Sequence, residues 1–144
     1  MPNAVTDGYM KAMNGLHRAI LKVSGGRILA KPLGMDTVEL HTIGRKSGLD
    51  RATMLTAPIN EPGRLVLVAS KGGDDRHPEW YLNLQANPEV ETKIAGTTQR
   101  MKARTATPEE KSELWPRITA AYKGYAGYQK RTNRDIPVVI CEPR

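Results

Sequence analysis

The chain has 144 residues, with 22 Lys plus Arg against 15 Asp plus Glu, a formal net charge of +7, and a single cysteine. That length suits one domain whose core needs no disulfide or metal staple, and a lone Cys141 excludes an internal disulfide framework or a cysteine-rich metal centre. No apolar stretch approaches the roughly 20 residues of a spanning helix and no signal-peptide pattern opens the chain, so the expectation is a cytoplasmic protein.

Residues 8–23 read as an amphipathic helix: Tyr9, Met13, Leu16, Ile20 and Val23 alternate spacings of four and three, while Lys11, Arg18 and Lys22 fall opposite. Gly25-Gly26 stops it. Such a helix packs on the core with a solvated basic face, or serves as a lid or as a foot on an anionic membrane surface. It makes residues 1–25 the N-terminal element of a single domain over 1–144, with the core in 35–144. From Thr37 onward the pattern turns to short β-branched or alternating runs at 37–43, 51–60, 64–70, 90–95 and 98–105, separated by Gly, Pro and Asn. Intervals this short favour antiparallel hairpins, and Glu61-Pro62-Gly63 is turn chemistry between two of them. Trp80, Tyr81 and Leu84 recur at helical spacing within 77–85, and Asn87-Pro88 ends that helix. Thr107-Pro108-Glu109-Glu110 is a capping box with proline at the first helical position, starting a helix that runs to about Tyr122 with a bend near Trp115-Pro116. Tyr122, Tyr125 and Tyr128 then recur every third residue among glycines, which reads as a helix breaking into turns. A last apolar strand occupies 136–141. The sum is an α+β domain: a closed or nearly closed antiparallel barrel with helices packed outside.

The excess charge is uneven. Residues 1–34 carry five basic and one acidic side chains, residues 35–95 seven and nine, and residues 96–144 ten and five. A nucleic-acid binder interleaves a basic run with exposed aromatics, and here no such run occurs and Phe is absent, so nucleic acid is not expected as a partner.

Two turns carry anion chemistry. Gly44-Arg45-Lys46-Ser47-Gly48, with Arg51 just beyond, offers glycines for close backbone approach, cations and a hydroxyl; it suits a phosphate or carboxylate and equally an ordinary basic turn. It is no P-loop, and no GxGxxG occurs. Ser70-Lys71-Gly72-Gly73 repeats the recipe, and two such turns from neighbouring strands can converge on one elongated anionic ligand. Ser70 lacks a nucleophile elbow and reads as a hydrogen-bond donor. Tyr122, Tyr125 and Tyr128 either line an apolar pocket with a polar handle or form a core cluster, with Arg131 and Arg134 beyond as further anion capacity. Cys141 in an apolar strand behaves as a small hydrophobe. The three His lack close metal-ligand spacing, so no metal is expected.

Taken in order, Gly44-Arg45-Lys46-Ser47-Gly48, Ala69-Ser70-Lys71-Gly72-Gly73, His77-Pro78 with Trp80-Tyr81 and Asn83-Leu84, Ala86-Asn87-Pro88, Trp115-Pro116, the three tyrosines, and Arg134 with Ile136-Pro137-Val138-Val139 resemble the deazaflavin-dependent nitroreductase family of actinobacteria. The resemblance runs from about Thr37 onward. It implies a split β-barrel like that of flavin-binding oxidases, and coenzyme F420, a deazaflavin with a phosphate and an oligoglutamate tail. It further implies that Arg45, Lys46, Ser47 and Arg51 hold the phosphate and tail, that Ser70, Lys71, Gly72 and Gly73 lie along the ligand near its rings, that Trp80 packs near the pocket, and that Tyr122, Tyr125 and Tyr128 close the substrate side. The implied activity is hydride transfer from the reduced coenzyme to an electron-poor conjugated acceptor: a quinone, an enone or unsaturated lactone, or a nitroaromatic. A Tyr or Ser70 hydroxyl would stabilise the developing oxyanion and supply the proton. Met54-Leu55 stand where the family commonly has Pro-Leu, and Thr56 where some members have an aromatic, which alters a pocket wall. The alternative is a non-catalytic carrier or sensor of a flavin-like cofactor or haem, with flavin mononucleotide as the alternative ligand.

Overall fold

Seven strands follow from the alternating runs: β1 (Asp36–Ile43), β2 (Asp50–Ala57), β3 (Ile59–Glu61), β4 (Arg64–Val68), β5 (Glu89–Ile94), β6 (Thr97–Thr105) and β7 (Val138–Pro143). They come from a computed structural model that describes residues 34–144. The helix expected over 8–23, and the membrane contact attached to it, lie outside the described residues. Every pairing is antiparallel, in the order β2-β1-β5-β6-β7-β4-β3. The extended run expected over 51–60 is two strands. Pro58 has no N–H to give a ladder, so pairing breaks there, and β2 and β3 take opposite edges of the sheet. One residue joins the two edges, so the sheet curls into the split barrel that the sequence led us to expect.

Burial divides the sheet into two faces. Leu65, Leu67, Val139 and Cys141 point into one core with Val38, Leu40, Val90 and Met101, capped by Trp80, Tyr81 and Leu84 of helix α1 (Glu79–Ala86). Val66, Val68, Val138 and Ile140 point the other way into a second core beneath α2 (Pro108–Ala121) and α3 (Gly124–Arg131). Burial on both faces explains why β4 and β7 are continuous apolar runs and the other strands alternate.

The capping box is present: the Glu110 amide donates to Thr107 Oγ1 at 3.2 Å and the Thr107 amide to Glu110 Oε1 at 2.9 Å. Arg104 adds a fork of 2.7 and 3.0 Å onto Glu110 and reaches Glu142 at 3.0 Å, tying α2 to β6 and β7. Pro116 lies inside α2 without ending it, and the Thr119 hydroxyl donates to the Trp115 and Pro116 carbonyls at 3.0 and 3.3 Å. The tyrosine segment differs from its sequence reading. Residues 124–131 are helical, with Tyr125 and Tyr128 one turn apart. A glycine inside a helix costs about 1 kcal/mol, and burying the Tyr125 ring in the second core outweighs that.

Candidate functional site

The hairpin between β1 and β2 is closed by its own backbone: Gly44 N–H donates to Leu49 O and Gly48 N–H to Gly44 O, each at 2.8 Å. Ser47 braces the turn, its Oγ accepting from the Leu49 amide at 3.2 Å and from Arg51 Nη2 at 3.3 Å. Arg45 is aimed by Asn83 of α1, whose Oδ1 accepts from the Arg45 amide at 3.2 Å and from its Nη1 at 2.9 Å. Asn83 is 5% exposed and is itself fixed by donating to Thr42 Oγ1 at 3.3 Å. A cavity of about 650 Å³ opens beside the turn, lined by Gly44, Arg45, Lys46, Ser47, Asp50, Arg51, Glu79, Trp80 and Asn83 among others. Glu79 Oε2 lies 2.7 Å from Arg45 Nη1. The hydrogen bond from Arg45 holds its carboxyl below the usual carboxylate range, with the charges of Lys46 and Lys71 acting in the same direction. Cations of both predicted turns thus act on one carboxylate.

The second turn is a tight left-handed one. Lys71, Gly72 and Gly73 have φ of 45°, 63° and 84°, with Gly73 N–H donating to Ser70 O at 2.9 Å and Asp74 N–H to Lys71 O at 3.1 Å. Left-handed backbone costs a non-glycine residue roughly 1–2 kcal/mol, so Lys71 stores strain here. Ser70, 9% exposed, precedes the turn and its side chain caps nothing within it. α3 packs directly on the turn: a β-carbon at Gly73 would stand 2.9 Å from Tyr128 O, and Arg131 Nη1 donates to Gly72 O at 3.4 Å. Arg134, expected as anion capacity, turns instead into the backbone. Its Nε donates to Asp74 O at 2.8 Å, its Nη2 to Ala69 O and Ser70 O at 3.2 and 2.9 Å, and its Nη1 meets His77 Nδ1 at 3.0 Å. Burial, then the Arg134 charge, lowers the His77 pKa, so the ring is neutral and accepts at Nδ1.

The three tyrosines form one cluster with ring centroids 5.2 to 6.2 Å apart. Tyr125 is buried, with its hydroxyl 3.4 Å from Thr56 Oγ1; Thr56 thus supports the cluster where an aromatic would have added a wall. The half-buried Tyr122 and Tyr128 share a hydrogen bond of 3.2 Å between their hydroxyls. Burial pushes the Tyr128 phenol up to about 12, so it stays protonated as a donor across the neutral range. The Tyr122 ring fills space that a β-carbon at Gly124 would occupy.

Of the sequence-predicted residues, Arg45, Lys46, Ser47, Arg51 and Trp80 line one cavity, Lys71 acts on the Glu79 of its wall, and the turn 70–73 packs against the helix carrying Tyr125 and Tyr128. Trp80 presents a wall from within the first core. Glu79 and Asn83 received no role from sequence, because they meet the 44–48 turn only across the fold, 38 residues away for Asn83. Burial raises the Cys141 thiol to about 12, which leaves it inert. No cluster of three metal-ligating side chains occurs among the described residues, and no helix among them is long and apolar enough to cross a membrane. The donor set fits a polyanionic ligand with a flat ring system: guanidinium, ammonium and hydroxyl groups converge in the cavity, one carboxylate already shows Arg45's affinity for that group, and phenols lie beyond the second turn.

Known proteins are similar to this chain in sequence and fold. A family model described as F420H(2)-dependent quinone reductase matches residues 14–143. An F420H(2)-dependent quinone reductase of Mycobacterium tuberculosis is 38% identical over 133 residues, spanning 90% of this chain and 89% of the relative. A solved F420-H2 dependent reductase superposes with a TM-score of 0.67 at 41% identity, over 74% of this chain and 93% of that one. The haem storage protein HutZ from Vibrio cholerae, 16% identical with a TM-score of 0.54 over 85% of this chain and 88% of that one, shares the fold alone.

Proposed function

The chain belongs to the F420H(2)-dependent quinone reductase family, and from that premise we propose that this F420H2-dependent reductase takes a quinone as its acceptor. Bound in its reduced form, coenzyme F420 supplies a hydride. Arg45, Lys46 and Arg51, with Ser47, hold the phosphate and the glutamate carboxylates, and Trp80 forms an apolar wall. Ser70, Lys71, Gly72 and Gly73 lie along the ring system. Tyr122 and Tyr128 face the acceptor; one phenol donates a hydrogen bond to the oxygen on which negative charge develops and relays to it, from water, the proton that completes the hydroquinone, so the phenol itself is left protonated. Tyr125 and Ser70 support that geometry, Tyr125 through its ring contacts and its bond to Thr56. The observation that carries this reading is the cavity itself, where Arg45, Lys46, Arg51 and Ser47 converge beside the Trp80 wall.

Fluorescence titration of the oxidised coenzyme tests it. Micromolar binding is expected, and absence of binding, or a preparation that comes off the column yellow with flavin, overturns it. Removing a charge-assisted contact costs about 1.5–3 kcal/mol, so Lys46→Ala should raise the coenzyme Kd by about tenfold or more. Tyr128→Phe should leave that Kd alone and lower kcat. Across a panel of quinones, enones and nitroaromatics, quinones should give the highest kcat/KM; a panel led by nitroaromatics would remove the quinone from the proposal and leave the reductase.

A further inference from the structure

Arg134, among the described residues near the site, commits all three guanidinium nitrogens inward. Nε, Nη1 and Nη2 meet three backbone carbonyls and one imidazole nitrogen, at 2.8 to 3.2 Å. Those carbonyls belong to Ala69, Ser70 and Asp74, the residues immediately before and after the left-handed run Lys71–Gly73. The turn's own bonds use only Ser70 O and Lys71 O, and Lys71 holds a conformation that favours glycine. Beyond those two bonds the turn is held from outside, by Arg131, which donates to Gly72 O at 3.4 Å, and by Arg134. Arg134 gathers the carbonyls on both sides of the turn, and His77, its ring tilted at 57° against that of Tyr81 with centroids 5.0 Å apart, offers the acceptor that orients the third nitrogen. A planar fork of five donors matches this spread, whereas a lysine ammonium presents its three donors from one point.

We propose that Arg134 is a positioning residue of the coenzyme site: oriented by His77, its guanidinium holds the 70–74 backbone in the left-handed form that presents Ser70 and Lys71 to the ligand. The inference rests on the reading that this turn lies along coenzyme F420. Arg134 acts through the turn, and the cavity wall does not include it.

The test compares the wild-type protein with Arg134→Lys and Arg134→Ala in coenzyme titrations followed by fluorescence, in steady-state kinetics, and in thermal melts. Expected are a rise of about tenfold or more in coenzyme Kd for both variants, an unchanged KM for the quinone, and partial recovery of Arg134→Ala, but not Arg134→Lys, by guanidinium ion at tens of millimolar. Recovery by a free guanidinium is something a merely unstable fold would not show. A wild-type-like Kd in Arg134→Lys overturns the inference, since it would mean that charge alone suffices. Should Arg134→Ala fail to melt cooperatively, Arg134→Lys, which keeps charge and stem, carries the test by the same criterion. The premise fails separately: if Lys46→Ala leaves the Kd unchanged, the site reading is wrong, whereas an effect at Lys46 with none at Arg134 overturns this inference alone.

Discussion

Glu79 stands among the cations of a site built for anions, 75% exposed on its side chain and 2.7 Å from Arg45. An incoming carboxylate or phosphate must displace it or share Arg45 with it. Exposed ion pairs are worth about 0–1 kcal/mol, so Glu79→Gln should tighten coenzyme binding by a few-fold at low salt, and the gain should shrink as ionic strength rises. Coenzyme titrations at two salt concentrations check this; weaker binding in the variant would show that Glu79 orients Arg45 for the ligand. Cys141 makes the opposite kind of prediction. With no exposed surface and its thiol pushed up to about 12, it should resist thiol reagents in the native protein and react at once in denaturant. The basic turn at 44–48 was legible because all of its chemistry lies within five consecutive residues. Asn83 and Arg134 were not. Each acts on a backbone segment far away in the chain, 38 residues for Asn83 and about 60 for Arg134, and only the folded sheet brings the partners together.

At the scale of elements, the α2 start was readable as chemistry and is present as chemistry. Thr107→Ala should remove about 1 kcal/mol and lower the melting temperature by a few degrees, with Thr107→Ser restoring most of it. The α3 helix was not readable, because glycine content argued for turns while the deciding term, the ring of Tyr125 in the second core, is a tertiary one. Gly124 gives that helix a specific test. A methyl group there would push into the Tyr122 ring and separate its hydroxyl from Tyr128. Gly124→Ala should therefore lower kcat by about tenfold, the scale of a misplaced proton donor, with little change in coenzyme affinity. Strand boundaries were legible to within a residue or two except at 51–60, where the pattern ran through Pro58 and hid the division between the two edges of the sheet.

The whole molecule carries its ion pairs where acid will find them. Asp74, with a carboxylate 2% exposed, is held at about 2 by hydrogen bonds from Arg76, Glu110 is held at about 2 chiefly by Arg104, and Glu61 is lowered by Arg117 and Arg64. Each is more acidic folded than unfolded, so its stabilisation is complete above the ordinary carboxylate range of about 4 and is lost as pH falls below it, toward about 2 for Asp74 and Glu110. His77 works in the same direction at higher pH. Its lowered pKa means that the unfolded chain binds a proton first, so stability should begin to decline below about pH 6.5 and fall more steeply below about pH 4. Urea melts at stepped pH values check both windows; a flat profile between pH 7 and 5 would remove His77 from the account.

The last strand in the chain is not at the edge of the sheet. β7 lies between β6 and β4, bonded to both, and carries Val139, Cys141, Val138 and Ile140 into the two cores at once. β4 and β6 are therefore joined only through residues 138–143. Without that strand the sheet would present two unpaired edges, of which the apolar β4 is of the kind that invites pairing with another chain. Closing the barrel therefore requires residues 138–143, and the Arg134 hold on the turn at 70–74 depends on the segment that leads into this strand.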